Sequence, residues 1–158
     1  MSAGVKLMQT SLAAALEDLH ASIAQVILAL DESAWHWRPA PGIPSVYDLV
    51  IRVAAEEQRW IVEAFADLSA IEGEINLYPE TAGLADHPLF VLGSTGQLSQ
   101  TILAMLPPAD WGALRQVDGR TVVVAGCILH VLQELARTLG QIEVIAGLWQ
   151  DEAARRKA

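Results

Sequence analysis

Four stretches of this chain repeat apolar side chains at steps of three and four residues, and each is long enough to lay one continuous stripe along a helix. In the first, Met8, Leu12, Leu16, Leu19, Ile23, Val26, Ile27 and Leu30 share a face, and the pattern ends near Leu30. The second carries Val46, Leu49, Val50, Val53, Trp60, Ile61, Ala64 and Leu68 and runs to about Ile71. The third passes through Leu92, Ser99, Ile102, Leu103 and Leu106. The fourth runs from about Thr121 to about Trp149, with Val124, Ile128, Val131, Leu135, Ile142, Ile145 and Trp149 on one face. A helix cannot hide its own stripe, but four can hide one another's. The expected fold is therefore all-α, a four-helix bundle forming one domain over residues 1–158.

The segments between the stripes carry stop and start signals. Pro39, Pro41 and Pro44 forbid a helix across the connector WHWRPAPGIPS. Ser45 is placed to cap the second helix, with Asp48 as the acid of a capping box. Residues 72–85 read as a long irregular loop. Asp86 as cap and Pro88 in the first turn open the third helix, which Gly93 and Gly96 weaken by about 1 kcal/mol each relative to alanine. Pro107 and Pro108 end it, and ADWGALRQVDGR is a second connector. The run Thr-Val-Val-Val from Thr121 is also compatible with a strand, although the spacing beyond it favours helix.

A chain of 158 residues has too little core to divide into two domains, and 53% hydrophobic against 18% charged residues is far from a disordered composition. The net charge of -9, with 19 acidic against 10 basic residues, repels phosphate backbones and anionic bilayers, so neither nucleic acid nor membrane is an expected partner. The basic tail Arg155, Arg156 and Lys157 suits a helix C-terminus. Cys127, the single cysteine, lies in an apolar run and reads as a buried thiol in a reducing compartment. The first residues lack the features of a signal peptide, and the longest strongly apolar run, residues 122–132, is too short to span a bilayer. These signs point to a soluble, cytoplasmic protein.

Chemistry is most suggestive where polar groups interrupt the stripes. Glu57 falls in the middle of the second stripe, where a carboxylate must be paired, hydrogen-bonded or protonated; it is either a site residue or an anchor for a neighbour. Arg52 and Glu56 flank the same stripe at the spacing of an ordinary solvated pair. On the fourth helix Thr138 sits within the stripe, while His130, Glu134 and Gln141 line its edge. His130 and Glu134, one turn apart, have the spacing of two ligands on one helix or of two edge residues. No phosphate-binding glycine loop or nucleophile elbow is present. The tryptophans at 35, 37, 60, 111 and 149 read as core and connector anchors.

The run Trp37-Arg-Pro-Ala-Pro-Gly, followed by Ser45-Val-Tyr-Asp-Leu-Val, resembles the join between the first two helices of the DinB/YfiT-like superfamily. The segment from His130 to Gly140-Gln-Ile142 is similar to that family's last helix. The resemblance implies an up-down-down-up four-helix bundle, often a homodimer, with a divalent metal such as zinc or nickel held by three histidines. By position those ligands fall on Arg52, Glu134 and Thr138, none of them histidine, and the acid that follows the first ligand falls on Glu57. Arginine offers only donors and cannot ligate a cation. The expectation is therefore no resident metal, with an ion pair between Arg52 and Glu134 in its place. A second arrangement would hold a metal through Glu57, His130 and Glu134. Two functions follow: a non-catalytic bundle that binds a small molecule or partner in the vacated cleft, which the residues favour, or a metal-dependent thiol transferase or related hydrolase.

Overall fold

The computed structural model describes residues 3–65 and 87–157, and in these the chain is mostly helical with one small antiparallel sheet. Helix α1 spans Ala3–Leu28 and is followed by a single helical turn, α2, at Glu32–Trp35. Helix α3 covers Val46–Glu57 and continues into a π-helical turn, Gln58–Glu63. Helix α4 covers Pro88–Met105, and a 3-10 turn at Pro108–Gly112 leads into β1, Leu114–Val117, and β2, Arg120–Val123. Helix α5 then runs over Val124–Lys157. Both α1 and α3 pack against α4 and α5, so the stripes bury one another. Leu16, Ile23 and Ile27 of α1, Leu49 and Val50 of α3, Leu92 and Ile102 of α4, and Ile128, Val131 and Leu135 of α5 are fully or almost fully buried.

Several sequence expectations change here. A single helical turn, α2 at residues 32–35, stands between the first helix and the proline connector. The second helix has a π turn, which brings Trp60, Ile61 and Val62, three consecutive residues, into the core. Leu68, Ile71, the loop expected at 72–85 and Asp86 lie outside the described residues; the N-cap of α4 is His87, which makes no side-chain cap bond, and Pro88 does occupy the first turn. The second connector is a hairpin rather than a coil. Leu114 pairs with Val123 and Val117 with Arg120, and the turn between them is Asp118-Gly119, both at positive φ (51° and 72°). An Asp-Gly pair in that conformation is the two-residue loop whose twist matches antiparallel strands. Thr121 to Val123 are therefore strand, α5 starts at Val124, and it continues past Trp149 to take in the basic tail.

Helix α1 is apolar and long enough to cross a bilayer by length and composition alone, with a mean hydropathy of 1.2 over its best 18-residue window. Here its stripe is directed into the core, where Leu16, Ile23 and Ile27 have no exposure.

The join before α3 is built as one unit. The Ser45 hydroxyl accepts from the Asp48 backbone N–H (3.2 Å), and Asp48 Oδ2 accepts from the Ser45 backbone N–H and Oγ (2.7 Å each). Arg38 reaches the same carboxylate oxygen at 2.8 Å, and Trp37 stacks edge-on against Trp149 of α5 with ring centroids 5.5 Å apart. The two halves of the connector motif thus meet each other and the last helix. Partial burial raises the Asp48 carboxyl pKa, but the bonds from Ser45, with the charges of Arg38 and His36, outweigh that and hold it below its ordinary 3.8. A depressed carboxyl pKa contributes stability above its ordinary value, and this is lost as the pH falls through the folded one. Asp48→Asn is expected to cost about 1 kcal/mol in urea unfolding at neutral pH. That cost should shrink as the pH falls below 3.8, where the parent carboxylate takes up its proton.

Candidate functional site

Two polar groupings lie on different sides of α3, one made by Glu57 and the other by Glu56. Successive residues on a helix are about 100° apart, so two adjacent acids serve different neighbours.

Glu57 has no exposure at all, as its place in the stripe requires. Its Oε2 is 2.8 Å from Nε2 of His20 on α1. Where the carboxylate is ionised it only accepts, and the imidazole then donates from Nε2. Oε1 of Glu57 is buried with no hydrogen-bond partner among the described residues. The His20 ring is held in place from α4: a Cβ on Gly96 would lie 2.2 Å from His20 Nδ1 and 2.4 Å from Cε1. Gly96 therefore has a steric function, because only a residue without a side chain lets α4 close over the imidazole. His20 is the site residue that sequence reasoning missed, though a signal existed. It stands four residues after Leu16 and three before Ile23, in the middle of the first stripe, as Glu57 is in the second.

Glu56 faces α5. Arg59 Nη2 donates to its Oε1, and Trp60 Nε1 donates to its Oε2 at 3.1 Å. His130 of α5 lies over the Trp60 ring with centroids 4.0 Å apart, and its Nε2 is 3.9 Å from Glu56 Oε2, too long for a hydrogen bond. Asp118 at the hairpin turn approaches Arg59 Nε at 3.5 Å. Together with Arg120 and Glu134 these residues line an open cleft of about 280 Å³ between the end of α3, the hairpin and α5. The hairpin residues were read as connector, and their part in the cleft follows from the turn that the Asp-Gly pair makes.

The positions matched to metal ligands are arranged differently from the expectation. Arg52 is exposed, and its Nη2 donates to Gln141 Oε1 at 2.8 Å across the α3–α5 junction. Glu134 pairs with Arg137 on its own helix at 3.0 Å. The expected Arg52–Glu134 ion pair is thus not formed, nor is the Arg52–Glu56 pair, because each of these groups has a nearer partner. Thr138 is buried. The alternative set of Glu57, His130 and Glu134 is also split: Glu57 turns to α1, and the acid nearest His130 is Glu56. Among the described residues no three His, Cys, Asp or Glu side chains are placed to hold a metal ion, and a guanidinium at position 52 does not fit one. Cys127 is fully buried, and that burial pushes its thiol pKa up, away from reactivity.

No protein-family model matches the chain, and neither a curated protein nor a solved structure is significantly similar to it.

The Glu57–His20 pair has a measurable signature. His20→Leu leaves a buried carboxylate without its donor and is expected to cost about 3 kcal/mol or more, whereas the double variant His20→Leu/Glu57→Met should be less damaged than that single change. Gly96→Ala would stabilise an ordinary helix by about 1 kcal/mol; here it should destabilise, because the methyl displaces His20. Urea unfolding of the four proteins checks both signs.

Proposed function

We propose that the chain is a DinB/YfiT-like bundle of up-down-down-up order whose metal position has been replaced, and that it works as a non-catalytic binder of a small polar molecule. The observation that carries this reading is the Glu56 network. Glu56 holds Arg59 and Trp60 beside His130, so the side chains of the α3–α5 cleft are ordered by one another and need no cation to organise them. Arg52 supports it too, since a guanidinium bonded to Gln141 stands where the resemblance calls for a ligand.

The cleft offers both signs of charge around a flat face. Arg59, Arg120, Asp118 and Glu134 line it together, with the Trp60–His130 stack as an aromatic wall. Such a lining suits a small amphoteric molecule, its anionic group toward Arg120 and its donors toward the carboxylates. The reading includes a cytoplasmic homodimer; Leu129, Val144 and Leu148 leave exposed apolar surface along α5 for a self-complementary contact.

Native mass spectrometry and elemental analysis of protein purified without an affinity tag test the proposal. The expected result is no stoichiometric zinc or nickel and a small molecule retained by the parent but lost from Arg120→Ala. One equivalent of metal per chain, or thiol transfer that depends on added metal, would contradict it and restore the transferase reading.

A further inference from the structure

The imidazole that holds Glu57 has a second face. Glu57 is fully buried, but the His20 side chain is 13% exposed and lines a cavity of about 400 Å³ between α1 and α4. Nε2 is bonded to the carboxylate at 2.8 Å. Nδ1, on the other side of the ring, makes no hydrogen bond among the described residues, and it is not one of their sealed polar atoms, as Oε1 of Glu57 is. It faces α4 where that helix carries no side chain. A Cβ on Gly96 would lie 2.2 Å from Nδ1, and one on Gly93, a turn earlier, would meet nothing within 4 Å. The two glycines therefore admit the ring and leave open space beside it.

A base oriented by a buried acid is the result. An ionised Glu57 fixes the tautomer with hydrogen on Nε2, leaves the Nδ1 lone pair to take a proton, and stabilises the imidazolium that forms. The same cavity carries donors. Gln100 Nε2 donates one N–H to the Ala13 carbonyl (2.8 Å) and has the other free, and the Gln97 side-chain amide makes no hydrogen bond among the described residues. N–H groups of this kind suit a carbonyl oxygen that gains negative charge. Among the described residues no lysine or arginine lines the cavity, and Glu17 stands in its wall, so an anionic substrate is repelled. The base comes from α1, its acid from α3 and the donors from α4, three helices that the core fixes against one another.

We propose that His20 is a general base and that the α1–α4 cavity hydrolyses a small neutral ester. Nδ1 takes a proton from water as the water oxygen bonds to the acyl carbon, and the carbonyl oxygen, now negative, accepts from Gln97 and Gln100. When the tetrahedral adduct collapses, the bond from the acyl carbon to the alcohol oxygen breaks, and that oxygen takes the proton back from Nδ1. The products are a carboxylic acid and an alcohol, with water as the one co-reactant. Glu57 touches neither substrate nor water and is a positioning residue. The α3–α5 cleft shares no residue with this cavity and keeps its reading as a binding site without catalysis.

Steady-state hydrolysis of 4-nitrophenyl acetate and of phenyl acetate by the full chain tests it. The expected result is saturable turnover that slows in heavy water, because a proton moves in the transition state. His20→Gln should lower kcat by about a hundredfold or more, and Glu57→Gln should lower kcat with KM little changed. Gly93→Leu fills the cavity from an exposed position, favours helix and leaves the dyad in place; it should stay folded by circular dichroism and lose turnover, which decides the matter even where His20→Gln does not fold. His36→Gln, which removes an imidazole outside the cavity, should leave the rate unchanged. Absence of saturable turnover overturns the proposal. So does an equal loss in His20→Gln and His36→Gln, which would mean hydrolysis by surface imidazoles at large. Accumulation of an acyl-imidazole, which would make His20 a nucleophile, or full turnover by a folded Gly93→Leu, overturns it too.

Discussion

A carboxylate with no exposure, in the middle of an apolar stripe, is the constraint around which the rest of this molecule is arranged. Leaving Glu57 unpaired in the interior would cost several kcal/mol, a large share of what holds any small domain together. The bond with His20 offsets part of that cost at Oε2 and ties α1 to α3. It also sets a condition on α4, which can approach only because Gly96 has no side chain to meet the imidazole. One buried acid thus explains the only histidine in the first helix's stripe and a glycine in a helix interior that propensity alone would reject.

The same arrangement has consequences across α3. Because Glu57 is committed to α1, it is withdrawn from the α3–α5 junction, and the adjacent Glu56 takes that side. The π turn that follows widens the helix where Trp60 must both enter the core and donate to Glu56, and wide turns of this kind occur frequently at functional sites. The hairpin closes the cleft with Asp118 and Arg120. Toward α5 acids and guanidinium groups therefore meet around an aromatic stack.

Much of the helical core was legible in the sequence because it depends on spacing. Leu16, Ile23, Val53, Ile128 and Leu135 are buried where the stripes put them, and the Ser45–Asp48 box forms as read, because capping is a local interaction. The hairpin was harder. Its strands have four residues each, too few for a period to show, so its one strong signal was the Asp-Gly pair in the second connector. The site was legible by half: burial of Glu57 follows from its position, but its partner stands 37 residues away on another helix, and no spacing rule pairs residues across helices. His20 was findable in principle as a polar residue in its own stripe. The partners of Arg52 and Glu134 were not, since long exposed side chains choose among several neighbours by geometry that only the packed structure sets.

The most direct test of this account is the protonation and exchange of the His20 ring in the intact protein, measured by nitrogen-15 NMR of the imidazole. If the buried carboxylate organises the fold as described, Nε2 carries a proton that exchanges slowly with solvent, and that protection is lost in Glu57→Gln. A ring whose nitrogen signals and proton exchange are the same in the parent as in the variant would mean that Glu57 is held by something other than His20. The dependence of α1, α3 and α4 on this pair would then be wrong.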